Sequence, residues 1–191
     1  MNYKTFRVTE QGYINIWQEI IKDKILDTHY WGIITSPLAI HESQSKDYNL
    51  EYCIEHNIPI LHSNRVGGTI VAKANDIDFF YVMENNNVPD EIVKILYYLR
   101  NVKHLNADLS ESPDYIGRDI LIDDIYKVAT FTNSQQGDGS FFSAGHISMS
   151  VDLEAIKNIC LKPMKKIPKG LSEYGITQEE IINLIENDIE V

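Results

Sequence analysis

Gly117-Arg118-Asp119-Ile120-Leu121-Ile122-Asp123-Asp124-Ile125-Tyr126-Lys127-Val128-Ala129-Thr130-Phe131-Thr132 is the stretch on which the fold turns. Residues 119–122 and 126–132 are rich in β-branched and aromatic side chains and read as two strands. Only three residues separate them, so they are strand neighbours with no helix between them. Further strands are expected at 3–8, 31–35, 38–40, 60–61, 69–72, 78–83 and 147–151. Ala74-Asn75-Asp76 reads as a hairpin turn between two of these.

The helical signals lie between and beyond those strands. Ile14, Trp17, Ile20, Ile21 and Ile25 recur at helical spacing, which predicts an amphipathic helix over 12–26. Residues 47–56 look helical and end before Asn57-Ile58-Pro59, because proline disfavours helix in the residue ahead of it. Pro89-Asp90-Glu91 opens a helix running to about 100–103, with acids at the positive end of its dipole. Asp152 caps a helix reaching Cys160. Thr177 and Glu180 form a capping box ahead of a last helix. Such a mixed order predicts an α+β fold: a mixed, largely antiparallel central sheet flanked by helices, rather than a regular βαβ series.

Composition narrows the function. The 191 residues are 43% hydrophobic and 24% charged, and neither linker nor repeat divides them, so one domain over 1–191 is expected. A net charge of −11, from 17 basic and 28 acidic residues, argues against nucleic acid, whose phosphates reward clustered Lys and Arg. Two cysteines, Cys53 and Cys160, exclude a disulfide scaffold, and neither sits in a motif that would activate it. No apolar run approaches a membrane span, and Met1-Asn2-Tyr3-Lys4 lacks a signal core. The expected place is the cytoplasm, away from membranes.

Several residues could carry chemistry, each beside a plainer alternative. Gly67-Gly68 fits a turn, or a loop whose N–H groups face an anion. Lys127, inside an apolar run, either points to water or supplies a compact cation to a phosphate or carbonyl oxygen. The Gly- and Ser-rich residues 137–146 read as a flexible hairpin loop or as a site-lining loop that would present His146 for proton transfer. The four lysines within 162–169 form a solvated face or a docking patch for an anion. The six histidines show no metal-ligand spacing.

Taken in order, these pieces resemble the catalytic domain of the lipoate–protein ligase and octanoyltransferase family, the biotin/lipoate ligase fold. Asn15-Ile16-Trp17-Gln18-Glu19 resembles the family's Asn-Leu-Ala-x-Glu helix, and Leu38-Ala39-Ile40-His41-Glu42-Ser43-Gln44 its Val-Val-Ile-Gly-x-x-Gln. His62-Ser63-Asn64-Arg65-Val66-Gly67-Gly68 falls on its Arg-Arg-x-Ser-Gly-Gly-Gly loop. Ile116 to Ile122 resembles its Gly-Arg-Asn-Asp-Leu, and Lys127-Val128 its Lys-x-Ser-Gly. Gly145, Val151-Asp152-Leu153 and Lys169-Gly170 match later family positions.

The resemblance implies acyl activation or transfer, with lipoate or octanoate as substrate, ATP and Mg²⁺ as co-reactants, and a lysine of a lipoyl carrier domain as acceptor. It implies Lys127 as the catalytic cation, and Gln44, Arg65, Gly67, Gly68, Asp119, Gly145 and His146 around the substrate. The accessory C-terminal domain of many ligases has no counterpart here, and a separate polypeptide would supply it. The motifs also depart from the family. Its arginine pair is replaced within His62-Ser63-Asn64, its His-Asp becomes Ala72-Lys73, and its late histidine becomes Ala144. A relative that binds a small ligand or a protein partner without catalysis is the alternative expectation.

Overall fold

A computed structural model describes residues 2–23, 28–36, 38–42, 48–62, 69–110, 117–161 and 163–187. The quoted stretch forms β8 (Gly117–Ile122) and β9 (Tyr126–Gln135), an antiparallel pair. Six further strands complete an eight-stranded sheet: β1 (Asn2–Thr5), β2 (Thr28–Ile33), β6 (Ile77–Met83), β7 (Ala107–Leu109), β10 (Phe141–Ile147) and β11 (Ile167–Pro168). Its order is β1-β2-β6-β10-β9-β8-β7, with β11 paired to β9. Within this sheet, among the described residues, only β1 with β2 and β11 with β9 run parallel. A smaller sheet has the order β4-β3-β5, from β3 (Leu38–Glu42), β4 (Ile60–His62) and β5 (Ile70–Lys73). The expected mixed, largely antiparallel α+β fold is the one observed.

Helices cover both faces of the large sheet. On one face, α3 (Asp90–Tyr97) and α5 (Gln178–Glu186) bury Ile92, Ile95, Ile181 and Ile185 against Ile77, Phe79, Ile120 and Phe131. Both helix starts follow from the sequence. Thr177 and Glu180 close the capping box of α5, and Pro89 precedes an acidic first turn of α3. A π-helical turn, Tyr98–Val102, extends α3. Its Tyr98 hydroxyl donates to Glu180 (2.6 Å), and Lys103 Nζ donates to the same oxygen (2.8 Å). Lys103, the Thr177 N–H and Tyr98 together hold the Glu180 carboxyl down at about 2.

On the other face, α1 (Glu10–Asp23) buries Tyr13 and Ile16 against Tyr30, Phe80, Phe142 and Ala144. Of the expected apolar face, Trp17 packs against this cluster but Ile14 is exposed, while Gly12, Tyr13 and Ile16 face inward. The short helices α2 (Leu50–Glu55) and α4 (Leu153–Ile159) pack through Cys53, Ala155 and Ile159 against Ile60 and Val71 of the small sheet. The small sheet and α4 therefore share one apolar cluster.

Three further sequence expectations need correction. Residues 74–76 do not close a hairpin, because β5 pairs with β3 in the small sheet while β6 pairs with β2 and β10 in the large one. The turn instead carries the chain between sheets, with Asn75 at φ 77°. Residues 141–147 are not a loop but β10, an interior strand, and the strand expected at 147–151 is the connection from β10 to α4. The small residues of β10 are there for packing: a Cβ on Gly145 would lie 1.9 Å from Phe79 Cζ. Among the described residues, no helix is long and apolar enough to cross a membrane.

Candidate functional site

Lys127 faces a cleft because β9 is bulged. Ile120 pairs with Ala129 and Leu121 with Lys127, so Val128 is an extra residue between them. In an unbroken strand, 127 would share a face with 129 and 131. Here Ala129 and Phe131 lie in the core under α3, as does Val128, whereas Lys127 and Thr130 line a cleft. Bulges re-aim side chains in this way, and they recur beside active sites.

The cleft has a volume of about 220 Å³. The large sheet contributes Asp119, Lys127 and Thr130, and the small sheet Ile70 and Val71 with the preceding Thr69. Ser148, Val151, Ile156 and Cys160 border it from the β10–α4 region, and Met164, Lys165, Lys166 and Pro168 close the rim. Its walls are largely aliphatic, and its charge is concentrated on lysines. Lys127 Nζ lies 3.1 Å from Asp119 Oδ1, with the two side chains 36% and 25% exposed. The pair is thus reachable from solvent but partly shielded from it.

The rim is anchored beside Lys127. Lys169 N–H donates to Lys127 O (2.9 Å), and Pro168 is in register with Lys127. Lys169 Nζ stands 4.6 Å from the Tyr126 ring and 4.4 Å from the Tyr174 ring, a cation–π clasp on this segment. Lys166 Nζ donates to Asp124 O (2.7 Å). Part of the lysine-rich run read from sequence is thereby brought to the mouth of the cleft.

His146 lies one strand further in. It is in register with Thr130 on β9 and Asp78 on β6, and it is 2% exposed. Its Nδ1–H donates to Asp78 Oδ1 (2.8 Å), and its Nε2 is 3.3 Å from Asp76 Oδ2. The Tyr13 hydroxyl donates to the other oxygen of Asp78. Burial by itself would lower the imidazole pKa, but Asp76 and Asp78 outweigh it and push it up to about 9. His146 is therefore a buried cation held between two carboxylates.

The expected site residues fall into three groups. Lys127 and Asp119 meet in the cleft. His146 stands behind it and does not line it, and Gly145 is in register with Phe131, on the face of β10 under α3. Gln44, Arg65, Gly67 and Gly68 lie outside the described residues. Sequence reasoning passed over Cys160 and Ser148. Cys160 follows directly on the helix capped by Asp152, but no local signal tells which wall that helix end meets. Among the described residues, no group of three or more His, Cys, Asp or Glu side chains is arranged to hold a metal ion.

No protein-family model and no curated protein matches the sequence. Solved structures do match its shape. LipL1 of P. falciparum, in complex with lipoate, superposes with a TM-score of 0.71 at 17% identity, over 98% of this chain and 64% of its own. Lipoate-protein ligase A bound with ATP gives 0.71 at 12% identity, over 97% and 83%. The bi-partite lipoate protein ligase of Thermoplasma acidophilum, solved in a study that includes its E2 lipoyl domain, gives 0.67 at 12% identity, over 96% and 80%. This chain thus spans just under two thirds of the LipL1 length. Its fold is that of the lipoate–protein ligases.

Proposed function

We propose that this chain is a lipoate–protein ligase-like acyltransferase that activates a lipoyl or octanoyl group, or moves it onto a lysine of a carrier domain. The observation that carries this reading is the bulge that turns Lys127, paired with Asp119, into a cleft with aliphatic walls. An eight-carbon chain lying on Ile70, Val71, Val151 and Ile156 gains about 0.8 kcal/mol per buried CH₂. The carboxyl end then lies at Lys127, where an ammonium donates to the oxygen that becomes negative when the carbonyl is attacked. In the transfer step the acceptor amine forms the C–N bond. The C–O bond to phosphate breaks, the phosphate leaves with that electron pair, and the amine's proton passes to water.

The residues present suit an anionic co-reactant. Lys127, Lys165 and Lys166 offer three cations to an acyl phosphate or nucleotide, and Asp119 is the carboxylate available to an accompanying Mg²⁺. ATP supplies the leaving group when bound. The carrier domain would dock where Leu161, Met164 and Ile167 stand exposed around the rim lysines. A separate accessory polypeptide belongs to the same reading, which the bi-partite neighbour supports.

The second reading, a non-catalytic relative that binds a small acid or a protein partner, is favoured by Ala72. By the sequence resemblance it stands where the family has its histidine, and it is 0% exposed, packed with Tyr13, Phe80 and Ala144. One experiment separates the two. The chain is incubated with octanoate or lipoate, ATP–Mg²⁺ and a lipoyl domain, and the acceptor mass is read. Acyl addition that Lys127→Ala reduces on the order of a hundredfold or more is the expected result, the scale of losing one oxyanion-stabilising donor. Acid binding by calorimetry with no transfer gives the second reading, and transfer at the wild-type rate by the Lys127→Ala protein would falsify the role of Lys127.

A further inference from the structure

We infer that Asp76 and His146 are positioning residues, a buried clamp that fastens the small sheet to the large one and so sets the width of the Lys127 cleft. This rests on the proposed function only in taking that cleft as the working site.

The argument begins with where Asp76 reaches. It sits at the crossing from β5 to β6 and is 1% exposed. Its Oδ2 accepts the N–H of Lys73 (2.8 Å), the last residue of β5, and Thr69, Ile70 and Val71 ahead of it line the cleft. Its Oδ1 accepts the N–H groups of Met149 (2.7 Å) and Ser150 (3.3 Å), which lie between the cleft residues Ser148 and Val151. One carboxylate therefore holds the backbone on both sides of the opening. Ile34 adds a backbone brace, donating to Asp76 O (2.9 Å) while its own carbonyl accepts the N–H of Asn75 (2.8 Å).

His146 ties that carboxylate to the large sheet. Its imidazole bridges Asp76 and Asp78, and Asp78 is held in turn by Tyr13 from α1. The titratable groups facing it are Asp76 from the crossing, Asp78 from β6 and Tyr13 by way of Asp78. On the β9 side it meets Thr130, with the Asp119–Lys127 pair beyond. A doubly protonated ring can donate to both carboxylates. Removing one proton leaves a lone pair facing a carboxylate oxygen, which repels it. The pKa of about 9 places that change above neutral pH. Because α4 and the small sheet share one apolar cluster, they shift together when the clamp opens, and Cys160 on the α4 side is uncovered.

The two cysteines report the opening without any ligand. Cys160 borders the cleft, whereas Cys53 is 1% exposed inside the small-sheet cluster. The intact chain and its Asp76→Asn and His146→Gln variants are treated with iodoacetamide, and each site is followed by mass spectrometry. Cys160 should react about tenfold faster in both variants while Cys53 stays protected, the scale of losing one charge-assisted hydrogen bond from the closed state. In the unmodified chain, Cys160 reactivity relative to a peptide thiol should rise through pH 9, and His146→Gln should abolish the rise.

Equal Cys160 rates in chain and variants, with Cys53 protected, overturn the clamp. Should the variants unfold, Cys53 reacts as readily as Cys160, and the unmodified chain decides: a flat pH profile for Cys160 also overturns it. A chain that transfers no acyl group but shows the Cys160 response refutes the proposed function and leaves the clamp standing.

Discussion

Two buried histidines stand on opposite faces of the same sheet, and their surroundings differ in a telling way. His29 on β2 faces α3, where its Nδ1 meets Glu91, and its ring stacks on Tyr81 at 3.9 Å. Its Nε2 and the second oxygen of Glu91 have no hydrogen-bond partner among the described residues. Cross-strand register extends this polar row from His29 through Tyr81 to Ser143 and Asn133. His146, on the cleft side, has a carboxylate near each nitrogen. Glu91 is met by one imidazole nitrogen, whereas the His146 ring stands between two carboxylates, hydrogen-bonded to Asp78 and in ion-pair contact with Asp76. A polar cluster in a core can be a local packing solution, as under α3, or a tie between separate parts of the molecule, as at His146.

The largest effect should come from Asp78→Ala. It removes one partner of the buried imidazolium and the carboxylate to which the Tyr13 hydroxyl donates, so a loss of about 3–5 kcal/mol is expected in denaturant unfolding. Glu91→Ala should cost less, about 1–3 kcal/mol, because only one hydrogen bond is lost from His29. The reverse order would break the comparison. Gly145→Ala should cost a similar ~1–3 kcal/mol, since its Cβ meets the Phe79 ring. That change lies under α3, so Cys160 alkylation should keep its rate, and a faster rate would show that the two faces are coupled.

Stability should also change with pH alone. His146 is raised from 6.5 to about 9 on folding, so its contribution is complete below pH 6.5 and is lost as pH rises through 9. Melting temperature measured across that window should fall, and the fall should shrink in His146→Gln. The Glu180 carboxyl runs the other way: lowered from 4.5 to about 2, it stabilises above pH 4.5 and loses that contribution as pH drops through 2. The smallest change in stability is expected for Lys127→Ala, within ~0.5 kcal/mol, because the side chain is partly exposed. An unfolding midpoint unmoved by that substitution, beside a collapse of acyl transfer, would sharpen the contrast between site and scaffold.

The helix ends were the most legible features in the sequence, because capping is local. Asp152 accepts the N–H of Ala155 (3.0 Å), and Thr177 accepts that of Glu180 (3.2 Å), as their spacing predicted. The β8–β9 pair was legible for the same reason. The interior strand β10 was not, since Ser143, Ala144 and Gly145 carry no strand propensity, and their smallness is explained only by Phe79 and its neighbours on another strand. The sheet-to-sheet crossing at 74–76 was read as a hairpin because a turn looks alike whichever strands it joins. In the site, Lys127 and Asp119 could be named from their motifs, whereas Cys160 could not, since its place on the cleft wall depends on how α4 packs. The sequence marks His146 as a candidate for proton transfer but not the acids that hold it. Its acids are Asp76 and Asp78, some seventy positions upstream.

Val128 deserves a different accounting, in units of chain length. It adds one residue to β9 that has no partner on β8, and the bulge absorbs it, since Val128 turns inward beside Ala129 while Lys127 keeps the cleft side. Deleting Val128 restores strict alternation and keeps the ammonium on the cleft side, because Lys127 then directly precedes the core-facing Ala129 in an unbroken ladder. In alignments of distant relatives, a one-residue gap at Val128 therefore leaves the lysine facing the cleft, whereas a residue added to β8 opposite Val128 would regularise the pair and turn that lysine beneath α3.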